Sequence, residues 1–316
     1  MHLGFDIGGT TARWAAFDDA WKRVAEGSER IRDRRAPDDL QAAVADMTRE
    51  AVEGSDADLE SVGIGLAAHL NRSGTVVRNS PNLGWRDEPF GAAVDEAFSN
   101  LFETPPSVRL VNDVTAGLAG ERQAGAVQGV DDILAVYVGT GVGGAVVSGG
   151  ELQFGAGGNA GEIGHSKVEA GGRICGCGER GCVEAYAGGI HLERRVVGLV
   201  ESDEVDGLEA DASLSEADAL ADEVEAIDGI WREATDALAI VVANACTLLD
   251  PAVLLLGGGV IEHCPAFRGR LARKIPSQIL EAVREDLEIR RPQLGDRAGP
   301  LGAALLAHHG VDGHSD

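Results

Sequence analysis

Two glycine-threonine hairpins, about 130 residues apart, constrain this chain more than any other feature. Residues 2–21 read HLGFDIGGTTARWAAFDDAW: an apolar strand, a glycine turn, a second apolar strand. Residues 133–152 read ILAVYVGTGVGGAVVSGGEL and repeat that grammar. Consecutive glycines let several backbone N–H groups point into one concavity, which is a site for anions. Asp6, Gly8, Gly9 and Thr10 form the first such turn; Gly139, Thr140, Gly141, Gly143 and Gly144 form the second. Gly257, Gly258 and Gly259 follow an apolar strand and form a third. Asp6, at a strand end among such glycines, is suited to hold Mg²⁺, directly or through water. The pair of hairpins predicts a duplicated architecture with one phosphate-binding hairpin per lobe. By spacing alone, two unrelated hairpins fit as well, and any single glycine turn can be a plain hairpin.

The intervening sequence alternates helices and strands. Ala36 to Val52 reads as a helix opening near Pro37, and Ser61 to Ala68 as an apolar strand. SPNLGW at 80–85 reads as a turn-rich loop, and Gly91 to Leu101 as a helix. Val108 to Val111 is a strand running into Asn112-Asp113, with a small-residue helix from Thr115 to Arg122. Residues 155–189 form a loop dense in Gly, Cys and His, and residues 201–225 an acidic helical excursion. A long helix over Trp231 to Leu249 leads through Asp250-Pro251 into the strand Ala252 to Leu256, and the last helix covers about Pro300 to His308. The alternation implies an α/β fold with a largely buried sheet.

Bulk composition narrows the function. A length of 316 residues predicts two domains and a core that needs no disulfides. The net charge of −25, with lysine confined to Lys22, Lys167 and Lys274, disfavours nucleic acid and anionic membranes as partners. Such a surface suits either general solubility or a high-salt milieu that screens self-repulsion. The best apolar stretch, Ala237 to Leu256, is interrupted by Asn244, Asp250 and Pro251, so no membrane span is expected. No secretory leader is read at residues 1–15, and the clustering of three of the five cysteines between 175 and 182 suggests a metal site in a reducing compartment. A cytoplasmic protein is expected.

Two alternative phosphate motifs fail. Gly139-x-Gly141-x-x-Gly144 has dinucleotide spacing, but strand-like Ala145-Val146-Val147 follows where a helix must open. No lysine follows a glycine, which rules out a Walker-A loop. His165, Cys175, Cys177 and Cys182 supply one imidazole and three thiolates within 18 residues, a set suited to a closed tetrahedral Zn²⁺ site. Glycines 171, 172, 176, 178 and 181 allow the tight turns this needs. Cys246 and Cys264 lie in apolar contexts and read as buried thiols. Asn112-Asp113 stands where a strand meets a helix; the Asp can take a proton from a substrate hydroxyl, and the pair can equally be a helix cap. A metal fixing His165 and Cys182 also fixes Glu162 and Glu184, carboxylates able to accept from sugar hydroxyls.

Together these residues resemble the ROK family of sugar kinases and repressors, within the actin-like/hexokinase ATPase superfamily. The most specific stretch is GNAGEIGHSKVEAGGRICGCGERGCVEAYAGG, residues 158–189, which unites a Glu-x-Gly-His element with Cys-x-Cys-x₄-Cys. FDIGGTTARW, PNLGW, VNDVTAGLAGE, GTGVGGAVV and DPAVLLLGGGVIE match in order, from about Leu3 to Ala307. The resemblance implies a two-lobed actin-like ATPase (ribonuclease H-like) fold: a duplicated mixed sheet, flanking helices and an interlobe cleft. It implies a smaller lobe over 1–111, with a C-terminal helix at about 300–316 packing back on it, and a larger lobe over 112–299 carrying the zinc loop 158–189. Asp113 is similar to the catalytic base; Asn112, Glu162, His165 and Glu184 to the sugar-holding residues. Asp6, Gly8, Gly9, Thr10, Thr140, Gly141, Gly257 and Gly258 are similar to the Mg-ATP contacts. ATP, Mg²⁺ and a structural Zn²⁺ are thus the implied cofactors, and a homodimer or homotetramer the implied assembly. The implied reaction is phosphorylation of a hexose, glucose first, at the 6-hydroxyl; other hexoses and N-acetylhexosamines are the rivals. A sugar-responsive repressor is disfavoured, since the winged helix such proteins carry would precede a hairpin that here starts at residue 3. Thr11 replaces a frequent lysine, Ala68-His69 a frequent Pro-Gly, and Val111 a frequent glutamate; these departures bear on which sugar is taken.

Overall fold

The computed structural model describes residues 1–53, 57–205, 207–209 and 211–309. The chain divides into two compact units: Met1–Gly129 with Glu151–Ala160 and the segment from Pro292 onward, and Val130–Gly150 with Gly161–Arg291.

In the first unit the strands His2–Ile7 and Thr11–Phe17 form the expected hairpin, with Asp6 opposite Arg13. Ser61–Leu66 and Ser107–Asn112 add to it in parallel, in the register Ile7, Leu66, Asn112. The C-terminal ends of all three parallel strands therefore lie at one edge of the sheet, the edge at which open α/β sheets place their ligands. Leu3, Phe5, Ile7, Val62, Ile64 and Leu66 are buried, so these strands read as near-continuous apolar runs. The helix Ala298–His309 crosses this sheet so closely that added β-carbons at Gly4 and Gly63 would meet its backbone at 1.8 and 1.9 Å. Any continuation of this helix toward residue 316 lies outside the described residues.

The second unit repeats the plan. The hairpin Ile133–Val138 and Val142–Ser148 is antiparallel, and Val253–Gly257 and then Glu288–Arg290 join in parallel. Tyr137 lies opposite Gly257, which brings the second and third glycine turns to one edge. The helix Glu225–Leu249 supports this sheet with Trp231, Leu238 and Val242, all fully buried. It begins six residues before Trp231, because Ile227 and Ile230 already face the core. Asp250 closes it in the left-handed conformation (φ 47°), turning the chain into the next strand. Among the described residues no helix is long and apolar enough to cross a membrane.

Some elements depart from expectation. SPNLGW is a turn between two short strands, Val77–Ser80 and Trp85–Glu88, in a small sheet with His69–Leu70. Arg23–Arg30 extends the first sheet as an edge strand. Residues 155–189 contain a 3₁₀ turn at Ile163–His165, and the short helix Glu184–Ala187 spans the end of that region.

Candidate functional site

In the first unit the candidate residues gather at the strand-end edge. Gly8 N–H bonds Thr11 C=O at 3.0 Å, closing the first turn. An added β-carbon at Gly9 would meet nothing within 4 Å, so internal packing does not demand the glycine; open space beside its backbone is what a closely approaching ligand requires. Asp6 stands at the strand end, and burial, its largest influence, pushes its carboxyl above the usual range; Arg13 opposes this and Asp296 adds to it. A buried carboxylate carrying that penalty is relieved by a cation, so its chemistry fits Mg²⁺. At the same edge Asn112 caps the helix Asp113–Ala124, its Oδ1 accepting the N–H groups of Val114 and Thr115 at 3.0 and 3.1 Å. Its Nδ2 donates to Ala68 C=O at 3.4 Å, tying the cap to one of the departing loop residues. Asp113 accepts the Val114 N–H through Oδ1 at 2.9 Å. Asn112 thus performs the capping that sequence could not separate from a site role, and it fixes the backbone from which Asp113 projects.

In the second unit the glycine turn and the cysteine loop meet through Glu184. Gly139 N–H bonds Gly141 C=O at 3.0 Å, and Gly139 C=O accepts the Gly189 N–H at 2.9 Å. Thr140 is exposed, and Gly139, like Gly9, has open space where a side chain would stand. Gly258 takes φ 96° and passes so near the strand Ile133–Val138 that a β-carbon would lie 2.5 Å from Val138 C=O. Only glycine satisfies both demands, which explains that position. Glu184 Oε2 accepts the Val142 N–H at 3.0 Å, and its Oε1 lies 3.4 Å from Cys175 Sγ.

His165, Cys175, Cys177 and Cys182 converge, with ligand atoms all within 4.8 Å of one another. A tetrahedral zinc with Zn–S near 2.3 Å and Zn–N of about 2.0–2.1 Å needs sulfur–sulfur spacings of about 3.8 Å and sulfur–nitrogen spacings of about 3.6 Å. The Cys177 and Cys182 sulfurs are 3.8 Å apart, and Cys175 Sγ is 3.7 Å from His165 Nδ1. The donor set and its spacing both fit zinc. His165 Nε2 faces the other way, 3.9 Å from Glu162 Oε2. Gly181, at φ 81°, lets the loop fold tightly: a β-carbon there would lie 1.9 Å from Glu169 C=O.

Sequence reasoning passed over the supports of this loop. Lys167 Nζ lies 3.1 Å from Cys182 Sγ. Arg173 donates from Nη2 to both carboxylate oxygens of Glu233 on the long helix, at 2.8 and 2.9 Å, and stacks on Tyr186 with 4.7 Å to the ring centroid. Arg195 pairs with the same Glu233 at 2.7 Å. Lys167 could have been found as one of only three lysines, set two residues after the candidate ligand His165. The partner of Arg173 lies 60 residues away and left no local signal. Cys246 and Cys264 are buried as expected, and burial, the first cause for each, pushes their thiols up to about 11 and about 12.

Comparison with known proteins agrees with this fold. The chain is 31% identical to a glucokinase of Thermotoga maritima over 98% of both chains. A ROK hexokinase from Thermus thermophilus superposes with a TM-score of 0.82 at 30% identity, over 99% of both chains. A ROK family glucokinase from Streptomyces griseus, solved in complex with glucose and AMPPNP, superposes with a TM-score of 0.80 at 29% identity, over 98% of this chain and 99% of that one. The fold is the two-lobed actin-like ATPase fold of these structures. The ROK family model matches residues 2–310, and this chain belongs to the ROK family.

Proposed function

We propose that this protein is a sugar kinase that transfers the γ-phosphoryl group of ATP to a hexose, with glucose the preferred acceptor and its 6-hydroxyl the site of transfer. The observation that carries the reading is Glu184, bonded to the glycine turn through Val142 and set 3.4 Å from the cluster sulfur of Cys175. One side chain thereby links an anion-binding turn to a loop rich in groups that hold hydroxyls. The relative solved with glucose and AMPPNP supports the same pairing of ligands.

The roles follow from chemistry. Bound Mg-ATP supplies the phosphoryl group and neutralises charge on its oxygens. Gly8, Gly9, Thr10, Thr140, Gly141, Gly257 and Gly258 line the phosphates, Gly8 by closing its turn on Thr11 C=O and the others by offering backbone to the phosphate oxygens, and Asp6 holds the cation. Asn112, Glu162, His165 and Glu184 hold the sugar, the carboxylates accepting from its hydroxyls. His165, Cys175, Cys177 and Cys182 would hold a zinc ion that supplies structure rather than chemistry; with Nδ1 facing the cysteines, His165 keeps Nε2 turned toward Glu162. Asp113 takes the proton from the attacking hydroxyl as the new O–P bond forms.

A coupled nucleotide-release assay across hexoses and N-acetylhexosamines tests this. Glucose should give the highest kcat/KM. Absence of nucleotide release with every sugar, at low and at molar KCl, would contradict the reading.

A further inference from the structure

A second group of potential metal ligands lies in the first unit, on the flank of the sheet remote in sequence from the cysteine loop. His2 opens the first strand, Glu60 precedes the strand Ser61–Leu66, and His308 lies in the last turn of the helix Ala298–His309. One ligand atom from each lies within 4.8 Å of the others. The His2 ring is buried and oriented: Nδ1 pairs with Ser61 Oγ at 3.0 Å, and Nε2 points toward Asp19 Oδ1 at 3.7 Å. A proton on Nδ1, donated to Ser61, leaves the Nε2 lone pair facing the carboxylates, the tautomer and second-partner arrangement of a metal-ligating histidine. Trp21 stacks on the His2 ring with centroids 4.8 Å apart, and the His308 ring packs against it, tilted, with centroids 4.2 Å apart. The carboxylates already gather about a cation, since the Met1 ammonium lies 3.6 Å from Glu60 and 3.8 Å from Asp19.

We infer that His2, Glu60 and His308, with Asp19 in reach, form a second metal site, selective for a borderline divalent transition ion such as Ni²⁺ or Zn²⁺. Two imidazoles and a carboxylate suit such ions better than Mg²⁺ or Ca²⁺, which favour all-oxygen sets. The bound ion clips the end of the last helix to the first strand. It stabilises the unit whose sheet edge carries Asp6 and Asp113, and it takes no part in phosphoryl transfer. The inference does not rest on the proposed reaction.

The test uses the untagged full chain titrated with Ni²⁺, with bound metal measured by equilibrium dialysis and tryptophan fluorescence read in parallel. Wild type should bind one more Ni²⁺ than His308→Ala, at micromolar free metal. Part of its fluorescence should be quenched because Trp21 stacks on a ligand ring. Glu60→Gln should weaken this step roughly tenfold while leaving the cysteine cluster untouched. A metal-dependent rise in Tm should be present in wild type and absent in His308→Ala. Equal Ni²⁺ binding and equal quenching in wild type and both variants would overturn the site and leave the histidines as packing residues. If His308→Ala does not fold, Glu60→Gln decides alone: unchanged affinity overturns the site.

Discussion

Glu184 accepts the Val142 backbone N–H at 3.0 Å across 42 residues of sequence, and its second carboxylate oxygen meets Cys175 Sγ. The glycine turn and the cysteine loop are therefore one mechanical element within the second unit. The proposal makes Glu184 a sugar ligand as well. Glu184→Gln keeps an acceptor for Val142 but removes the charge. The expected result is a KM for hexose raised about 10–100-fold, the scale of a hydrogen bond to a charged group, with Tm little changed. Steady-state kinetics across sugar concentrations check it.

The cysteine cluster should hold one zinc per chain by elemental analysis. Cys177→Ser should lose the metal and raise the sugar KM, because His165 and Glu184 lose their support. Thiol labelling offers a second check. Cys246 and Cys264 are buried, with thiols pushed up to about 11 and about 12, so folded zinc-loaded protein should label at none of its five cysteines near pH 8. Chelation should expose the cluster thiols, and denaturant the remaining two.

Asp6 should be costly to stability. Its folded carboxyl sits above the ordinary value of 3.8, chiefly through burial. A group so raised favours the fold below its unfolded pKa, and that contribution is lost as pH rises through the folded pKa. Asp6→Asn should therefore match wild type in Tm below about pH 3.5 and exceed it near pH 7. Turnover should fall at the same time. Thermal melts across pH, paired with the kinase assay, test both halves.

The parts of the fold that were legible in sequence are those that local chemistry dictates. The two glycine hairpins, the strand running into Asn112-Asp113 and the cysteine loop each carry their constraint within a few residues. The edge strand Arg23–Arg30 was not legible: RVAEGSER has little apolar alternation and exposes most of its length. It pairs because Gly27 leaves room for the Trp14 ring, whose atoms would lie 2.7 Å from an added β-carbon. The helix Pro265–Gln278 was legible and went unread, since Phe267, Leu271 and Ile275 recur at four-residue spacing behind a proline start. Glu121 shows the opposite case. Fully buried, it accepts N–H groups from Ala126, Gln293 and Leu294, partners that only the folded chain assembles. In the candidate site the convergence of His165 with the three cysteines was local and readable, whereas the Glu184–Val142 bond and the Arg173–Glu233 anchor were not.

The net charge of −25 makes a prediction about salt. Self-repulsion among surface carboxylates weakens as the Debye length falls from about 10 Å at 0.1 M to about 3 Å at 1 M. Tm should rise between dilute buffer and molar KCl. A flat or falling Tm would favour solubility alone as the role of the acidic surface.

Asp113→Asn is the most direct test of the account. The variant keeps the shape of the side chain and an oxygen for the Val114 N–H, while removing the group proposed to take the hydroxyl proton. With glucose and ATP, kcat should fall by about 10²–10⁴-fold, with Tm and the glucose KM close to wild type. A variant turning over at a near-normal rate would show that the proton leaves by another route.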